Sequence, residues 1–130
     1  MKQVFATREG LIGQKTASGY IVEEHMPFVA LPSRKALWKW IFVHNPLNEK
    51  WCCAQVLDIG PWAIDDDEYV FGNARPRSEL GISYSNKGTN KAGIDLSEKV
   101  WNLLHMKDNG SVSWCFIEAS NFWTPAEHKT

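Results

Sequence analysis

A chain of 130 residues with a formal net charge of −1 is sized for one domain, 1–130, that buries a single core without staples. That charge balance lacks the basic field needed to hold a phosphate backbone, so nucleic acid is not an expected partner. No run approaches the ~20 apolar residues that cross a bilayer, and Arg8 and Glu9 interrupt the stretch where a signal peptide would be apolar.

In chain order, Val4–Ala6 reads as a short opening strand. Gly10-Leu11-Ile12-Gly13-Gln14-Lys15-Thr16 fails as a phosphate loop, because two residues rather than four separate its glycines and Gln14 precedes the lysine. Thr16–Gly19 is a turn, Tyr20–Val22 a short strand, and Phe28–Leu31 an apolar run closed by Pro32. Trp38–His44 alternates with apolar residues on both faces. After the turn Asn45–Asn48, Trp51–Leu57 returns as the second arm of a hairpin. Strands that are apolar on both faces in so short a chain imply a closed barrel or a sandwich.

Strict alternation in the second arm places Cys52, Ala54, Val56 and Asp58 on one face, with Cys53, Gln55 and Leu57 on the other. Gly60-Pro61 ends the strand. Asp58 thus stands where a strand breaks into a loop. It could brace the turn through its own backbone or present a reactive carboxyl. From Ala63 to Ala92 regular patterning is lost; a loop of that length in a compact domain is more often functional than decorative. Its run Asp65-Asp66-Asp67-Glu68 lacks the alternation and central Gly of a calcium loop, and Gly81–Ser85 lacks the second Gly of a nucleophile elbow.

Asp95-Leu96-Ser97-Glu98 has the spacing of a capping box with Asp95 as the cap. Leu96, Val100, Leu103 and Leu104 then give one apolar helical stripe. Val112–Ile117 alternates as the last strand, and 119–130 reads as a polar tail in which Phe122 and Trp123 can dock. The three cysteines have no framework spacing and read as reduced thiols. The four histidines show no metal-ligand spacing, so neither metal nor cofactor is expected; His25 is the histidine held open for function. Seven tryptophans exceed what a core of this size needs, and such rings serve as stacking platforms for sugars as well as core filling.

Thr16-Ala17-Ser18-Gly19, Ala30-Leu31-Pro32, Val56-Leu57-Asp58-Ile59-Gly60-Pro61-Trp62, Gly93-Ile94-Asp95-Leu96-Ser97 and Gly110-Ser111-Val112 occur in this order. Together they resemble the rare-lipoprotein-A-like double-psi β-barrel family, which is similar to the barrels of expansins and some lytic transglycosylases. The resemblance spans about residues 16–118. It implies a mostly β fold: a small six-stranded double-psi barrel with one short helix after Asp95 and a long loop following Trp62. It also implies cleavage of peptidoglycan glycan strands in the manner of a lytic transglycosylase, with Asp58 as the catalytic general acid/base. A non-catalytic glycan-binding or structural barrel is the alternative, because Phe28 stands where the family carries a partner His, and Ile59 where it carries an Arg.

Asp95 and His25 are the expected supporting residues, and Gly60, Trp62, Asp66 and Tyr69 the expected substrate-binding ones. With no Arg after Asp58, its proton is expected to be retained by its apolar setting and by a nearby Asp95. The partner implied is peptidoglycan or a related polysaccharide, met by a monomer. The chain is expected in the cytoplasm as synthesised, and at the wall by phage delivery or other machinery.

Overall fold

The computed structural model describes residues 1–81 and 88–117. Residues 82–85 of the segment weighed as a nucleophile elbow, and the tail 119–130 with Phe122, Trp123 and His128, lie outside the described residues.

The chain is mostly β. Six strands, β1 (Lys2–Arg8), β2 (Phe28–Leu31), β3 (Trp40–His44), β4 (Trp51–Ile59), β5 (Ile94–Leu96) and β6 (Gly110–Phe116), close into one barrel in the order β1-β5-β2-β4-β3-β6. The pairs β1/β5 and β2/β4 are parallel, and the rest antiparallel. Two short helices, α1 (Asp67–Val70) and α2 (Glu98–Leu103), complete it.

Alternation explains the barrel. Val4 and Ala6, Val29 and Leu31, Ile41 and Val43, Cys52, Ala54 and Val56, Ile94 and Leu96, and Val112 and Trp114 all enter one buried core. Closure leaves no free sheet edge among these strands. The expected strands Trp38–His44, Trp51–Leu57 and Val112–Ile117 therefore share one barrel, each with ends moved by a residue or two. Trp38 is left out of β3 because its backbone turns to φ 75°. Tyr20–Val22 forms no strand; Ile21 makes a single bridge to Lys15. The barrel also begins earlier than residue 16, with β1.

The start of α2 differs from the capping-box expectation. Asp95 is not a cap: it lies in β5, between two core residues. Ser97 is the cap, its hydroxyl accepting from the Val100 N–H at 3.3 Å and also from the Phe28 N–H at 3.1 Å. Val100 and Leu104 remain on the core side, and Leu96 belongs to the strand. At the other end of α2 the Leu104 carbonyl accepts from Asn45 Nδ2 at 2.9 Å and Asn48 Nδ2 at 3.0 Å. The β3–β4 turn thereby satisfies a carbonyl that the helix leaves open.

The segment 63–92 is packed rather than loose where described. Trp114 Nε1 donates to the Tyr69 hydroxyl at 2.9 Å, and that hydroxyl donates to the Gly93 carbonyl at 2.8 Å. Any Cβ on Gly93 would lie 2.9 Å from Pro76 Cγ and 3.0 Å from both Tyr69 Oη and Val4 Cβ. Only glycine lets β5 approach so closely.

Candidate functional site: a row of carboxyls outside the barrel

Register builds the site. Ala30 on β2 is paired with Asp95 on one side and with Asp58 on the other, and Asp95 is in turn paired with Thr7 on β1. Thr7, Asp95, Ala30 and Asp58 therefore form one row across four strands. The row faces outward, because Ala6, Val29, Leu31, Ile94 and Leu96, its neighbours along the strands, point into the core. Ala30 contributes only a methyl group between the two aspartates.

Asp58 joins this row through an irregularity. Between β2 and β4 the pairing runs Val29 with Val56 and then Ala30 with Asp58, so Leu57 is the extra residue of a β-bulge. Without the bulge Asp58 would sit opposite Leu31 and share the inward face with Val56, as strict alternation predicts. The bulge turns Asp58 out of the core and lays Leu57 in a second cluster with Val22 and Phe28.

The outward face is covered by the segment between β1 and β2. Its Ala17 N–H donates to Asp58 Oδ1 at 2.9 Å, and the Ile59 N–H reaches the same oxygen at 2.9 Å. The Ser18 N–H bonds the Leu57 carbonyl at 3.2 Å, which anchors the cover to the bulge. Asp58 thus both braces its own turn and faces a second carboxyl, that of Glu9, at hydrogen-bonding range. Glu9 extends the β1/β5 pairing by one step: its N–H donates to the Leu96 carbonyl at 2.8 Å.

Electrostatically the row is crowded. Burial, the hydrogen bond to Asp58, and the charges of Asp58 and Asp95 push Glu9 up to about 9. Burial also pushes Asp95 up to about 6, opposed by the Thr7 hydroxyl that donates to Asp95 Oδ1 and reinforced by the charge of Asp58. An open cleft of about 780 Å³ lies beside the row, lined by Thr7, Glu9 and Asp95, by Trp62 and Trp101, and by Lys107. The Trp62 backbone is held at φ 71°, a conformation costly for a bulky residue, and its Nε1 donates to Asn90 Oδ1 at 2.8 Å. Arg8 lies 5.1 Å from the Trp101 ring and 3.2 Å from Glu98.

The expected site residues fall in several places. Asp58 and Asp95 come together, with Trp62 beside them, and Gly60 makes the turn between Asp58 and Trp62 at φ 141°. His25 does not join them: it is exposed in a separate hollow with Glu98 and Asn102. Tyr69 is in the core rather than at the groove, with 1% of its surface exposed. Asp66 is equally buried, at 2%, where it accepts the Arg77 N–H at 2.8 Å and pairs with Arg77 Nε at 3.6 Å. Asp65 bridges to Ser33, and Asp67 accepts from the Ser33 hydroxyl at 2.6 Å. The acidic run is therefore spent on holding its own loop.

Phe28, where the resembling family has its His, is fully buried against Tyr20 at 5.8 Å between ring centres. Glu9 was not among the expected site residues. Its signal in the sequence was its parity with Thr7 after a strand, which has no meaning until β5 is known to lie alongside. Among the described residues no cluster of three His, Cys, Asp or Glu is arranged to hold a metal ion. No helix among them is long and apolar enough to cross a membrane.

The chain belongs to a family described as a domain of unknown function, DUF8814, whose sequence model matches residues 1–81. That span holds β1 to β4, and with them Glu9, Ala30 and Asp58. A comparison with curated proteins found no match.

Proposed function

We propose that this member of the family cleaves the glycan strand of peptidoglycan or a related polysaccharide by acid–base chemistry, with Asp58 exchanging the proton. The observation that carries the reading is the row itself: carboxyls of β4, β5 and the end of β1 are gathered on one face beside an open, ring-lined cleft. Glycosidic bonds are broken by such carboxyl pairs, one protonated and one not. Trp62, 41% exposed, offers a ring on which a sugar face can stack, and Lys107, Asp108 and Asn109 offer polar contacts on the rim.

The closed mixed barrel with its two parallel pairs is compatible with the double-psi form of the rare-lipoprotein-A-like barrels. It supports the resemblance at the level of architecture. A second reading, a glycan-binding barrel without catalysis, is favoured by one observation: Phe28 fills the family's His position with a core side chain, so Asp58 has no imidazole partner there.

Incubation of the protein with purified cell walls of several types, followed by chromatography of the soluble fragments, tests the proposal. Fragments released by the wild type and absent with Asp58→Asn support cleavage. Tryptophan-fluorescence titration with glycan fragments that saturates without any release supports the binding module instead.

A further inference from the structure

We infer that Glu9 and Asp58 hold a single proton between them and work as one unit, with Glu9 as the group that delivers the proton to the substrate. The delivery half of this inference rests on the glycan-cleaving reading; the shared proton does not.

The geometry is as follows. Two carboxylates cannot hydrogen-bond to each other, because both only accept; a bond between them requires that one be protonated. Glu9 and Asp58 face each other at that range. Asp58 Oδ1 already accepts two backbone N–H groups, from Ala17 and Ile59, which mark it as the accepting member. Glu9 Oε2 is buried and meets no donor among the described residues. A buried carboxylate oxygen with no donor is costly, and a proton on Glu9 removes that cost.

The surroundings agree. From β5, Asp95 adds a third carboxyl. On the strand carrying Glu9, Arg8 is turned to Glu98 and the Trp101 ring. From the connection between α2 and β6, Lys107 and Asp108 reach the rim of the same cleft with opposite charges. The cover contributes the neutral Ala17 N–H. The charges acting on Glu9 are those of Asp58 and Asp95, and both oppose its ionisation, as does burial.

This arrangement serves both proton transfers of a glycoside cleavage, giving one proton and taking one. As the bond between the anomeric carbon and the leaving oxygen breaks, its electron pair passes to that oxygen, which takes the proton from Glu9. An attacking hydroxyl, from water or from the sugar itself, forms the new bond to the anomeric carbon and gives its proton to Asp58. The pair again holds one proton, now on Asp58, and transfer across the Glu9–Asp58 hydrogen bond restores the starting state. The missing histidine at Phe28 is then no deficit, because the partner comes from β1 rather than β2.

The test is carbon NMR of the side-chain carboxyls in the full chain, with Glu9 assigned by through-bond correlation in the wild type so that its own midpoint is read without a variant. The Glu9 carboxyl is expected to titrate near 9, and to move down in Asp58→Asn, which removes the charge of Asp58 while burial remains. A Glu9 midpoint in the ordinary range of about 4.3, or one indifferent to Asp58→Asn, overturns the shared proton. Wild-type wall cleavage is expected to decline as the pH rises through about 9 and Glu9 ionises; Glu9→Gln is expected to lose about 10²–10⁴-fold in rate and, in the residual activity, that alkaline decline. Retention of that decline overturns the delivery role. A cleaving wild type with an unshifted Glu9 sinks the pair and leaves the proposed function standing. A shifted, Asp58-dependent Glu9 in a protein that releases no fragments does the reverse.

Discussion

Asp65, Asp66 and Asp67 before and within α1, and Glu9, Asp58 and Asp95 outside the barrel, are both groups of three carboxyls. In the first, Arg77 reaches Asp65 at 3.5 Å and Asp66 at 3.6 Å, and Lys35 reaches Asp67 at 3.0 Å. In the second, no ion pair is found among the described residues, and the carboxyls meet backbone N–H groups, a threonine hydroxyl and one another. The difference appears in their protons. The Ser33 hydroxyl, helped by Lys35, holds Asp67 below its usual range, whereas Glu9 and Asp95 stand well above theirs. Acidity in the sequence therefore does not mark the site; carboxyls that meet no paired cation among the described residues do.

The comparison is most sharply broken by exchanging single carboxyls. Asp58→Asn is expected to lower wall cleavage by about 10²–10⁴-fold while the thermal midpoint stays within a few degrees, read by fragment release and circular dichroism. Asp66→Ala should do the opposite. It strips the Arg77 N–H of its acceptor, costing about 1–3 kcal/mol of stability in urea unfolding with the cleavage rate per folded molecule unchanged.

Between those extremes lies pH. Glu9 and Asp95 bind protons more tightly folded than unfolded, so their contribution to stability is present at acid pH and lost as the pH rises through about 6 and about 9. Asp67 has the opposite sign: its contribution is present above the ordinary carboxylate range and lost as the pH falls through its lowered midpoint. The melting temperature is expected to fall between about pH 5 and pH 9, and Glu9→Gln to flatten that fall. An unchanged slope in the variant would show that Glu9 is not the group responsible.

The smallest expected effect separates two aromatic residues that the sequence places seven apart. Trp62→Ala should weaken glycan binding by about 0.5–1.5 kcal/mol, the scale of one ring contact. Tyr69→Phe should leave binding alone and lower stability, because its hydroxyl links Trp114 and Gly93 inside the core.

The barrel was legible because its signal is local: two-sided alternation in Trp40–His44, Trp51–Ile59 and Gly110–Phe116 is written within each strand. Asp58 was legible too, through the Gly60-Pro61 break. The site around it was not, because it depends on pairings between distant segments. Asp95 matched a capping box in spacing, but the β1 and β2 ladders claimed Ile94–Leu96 as a strand and passed the cap to Ser97. Tyr69 and Asp66 follow Trp62 closely in sequence, yet the chain turns them inward to fill and brace an end of the barrel. Glu9 acquires its neighbours only when β5 pairs with β1 and the Leu57 bulge brings Asp58 to the outer face.

That bulge has a consequence for how such a site is gained or lost over descent. Removing Leu57 alone would heal the bulge: Asp58 would follow Val56 in regular alternation and keep its place opposite Ala30, whereas keeping Leu57 in a regular ladder would point Asp58 inward, opposite Leu31. A relative whose aspartate stands three residues after the core alanine, with no bulge, could thus present the same row, while one that keeps the four-residue spacing but loses the bulge would carry Glu9, Asp58 and Asp95 letter for letter with Asp58 turned inward. For this family the spacing between the core alanine at 54 and the aspartate at 58 is a heritable trait of its own, to be tracked as an insertion or deletion rather than as a substitution.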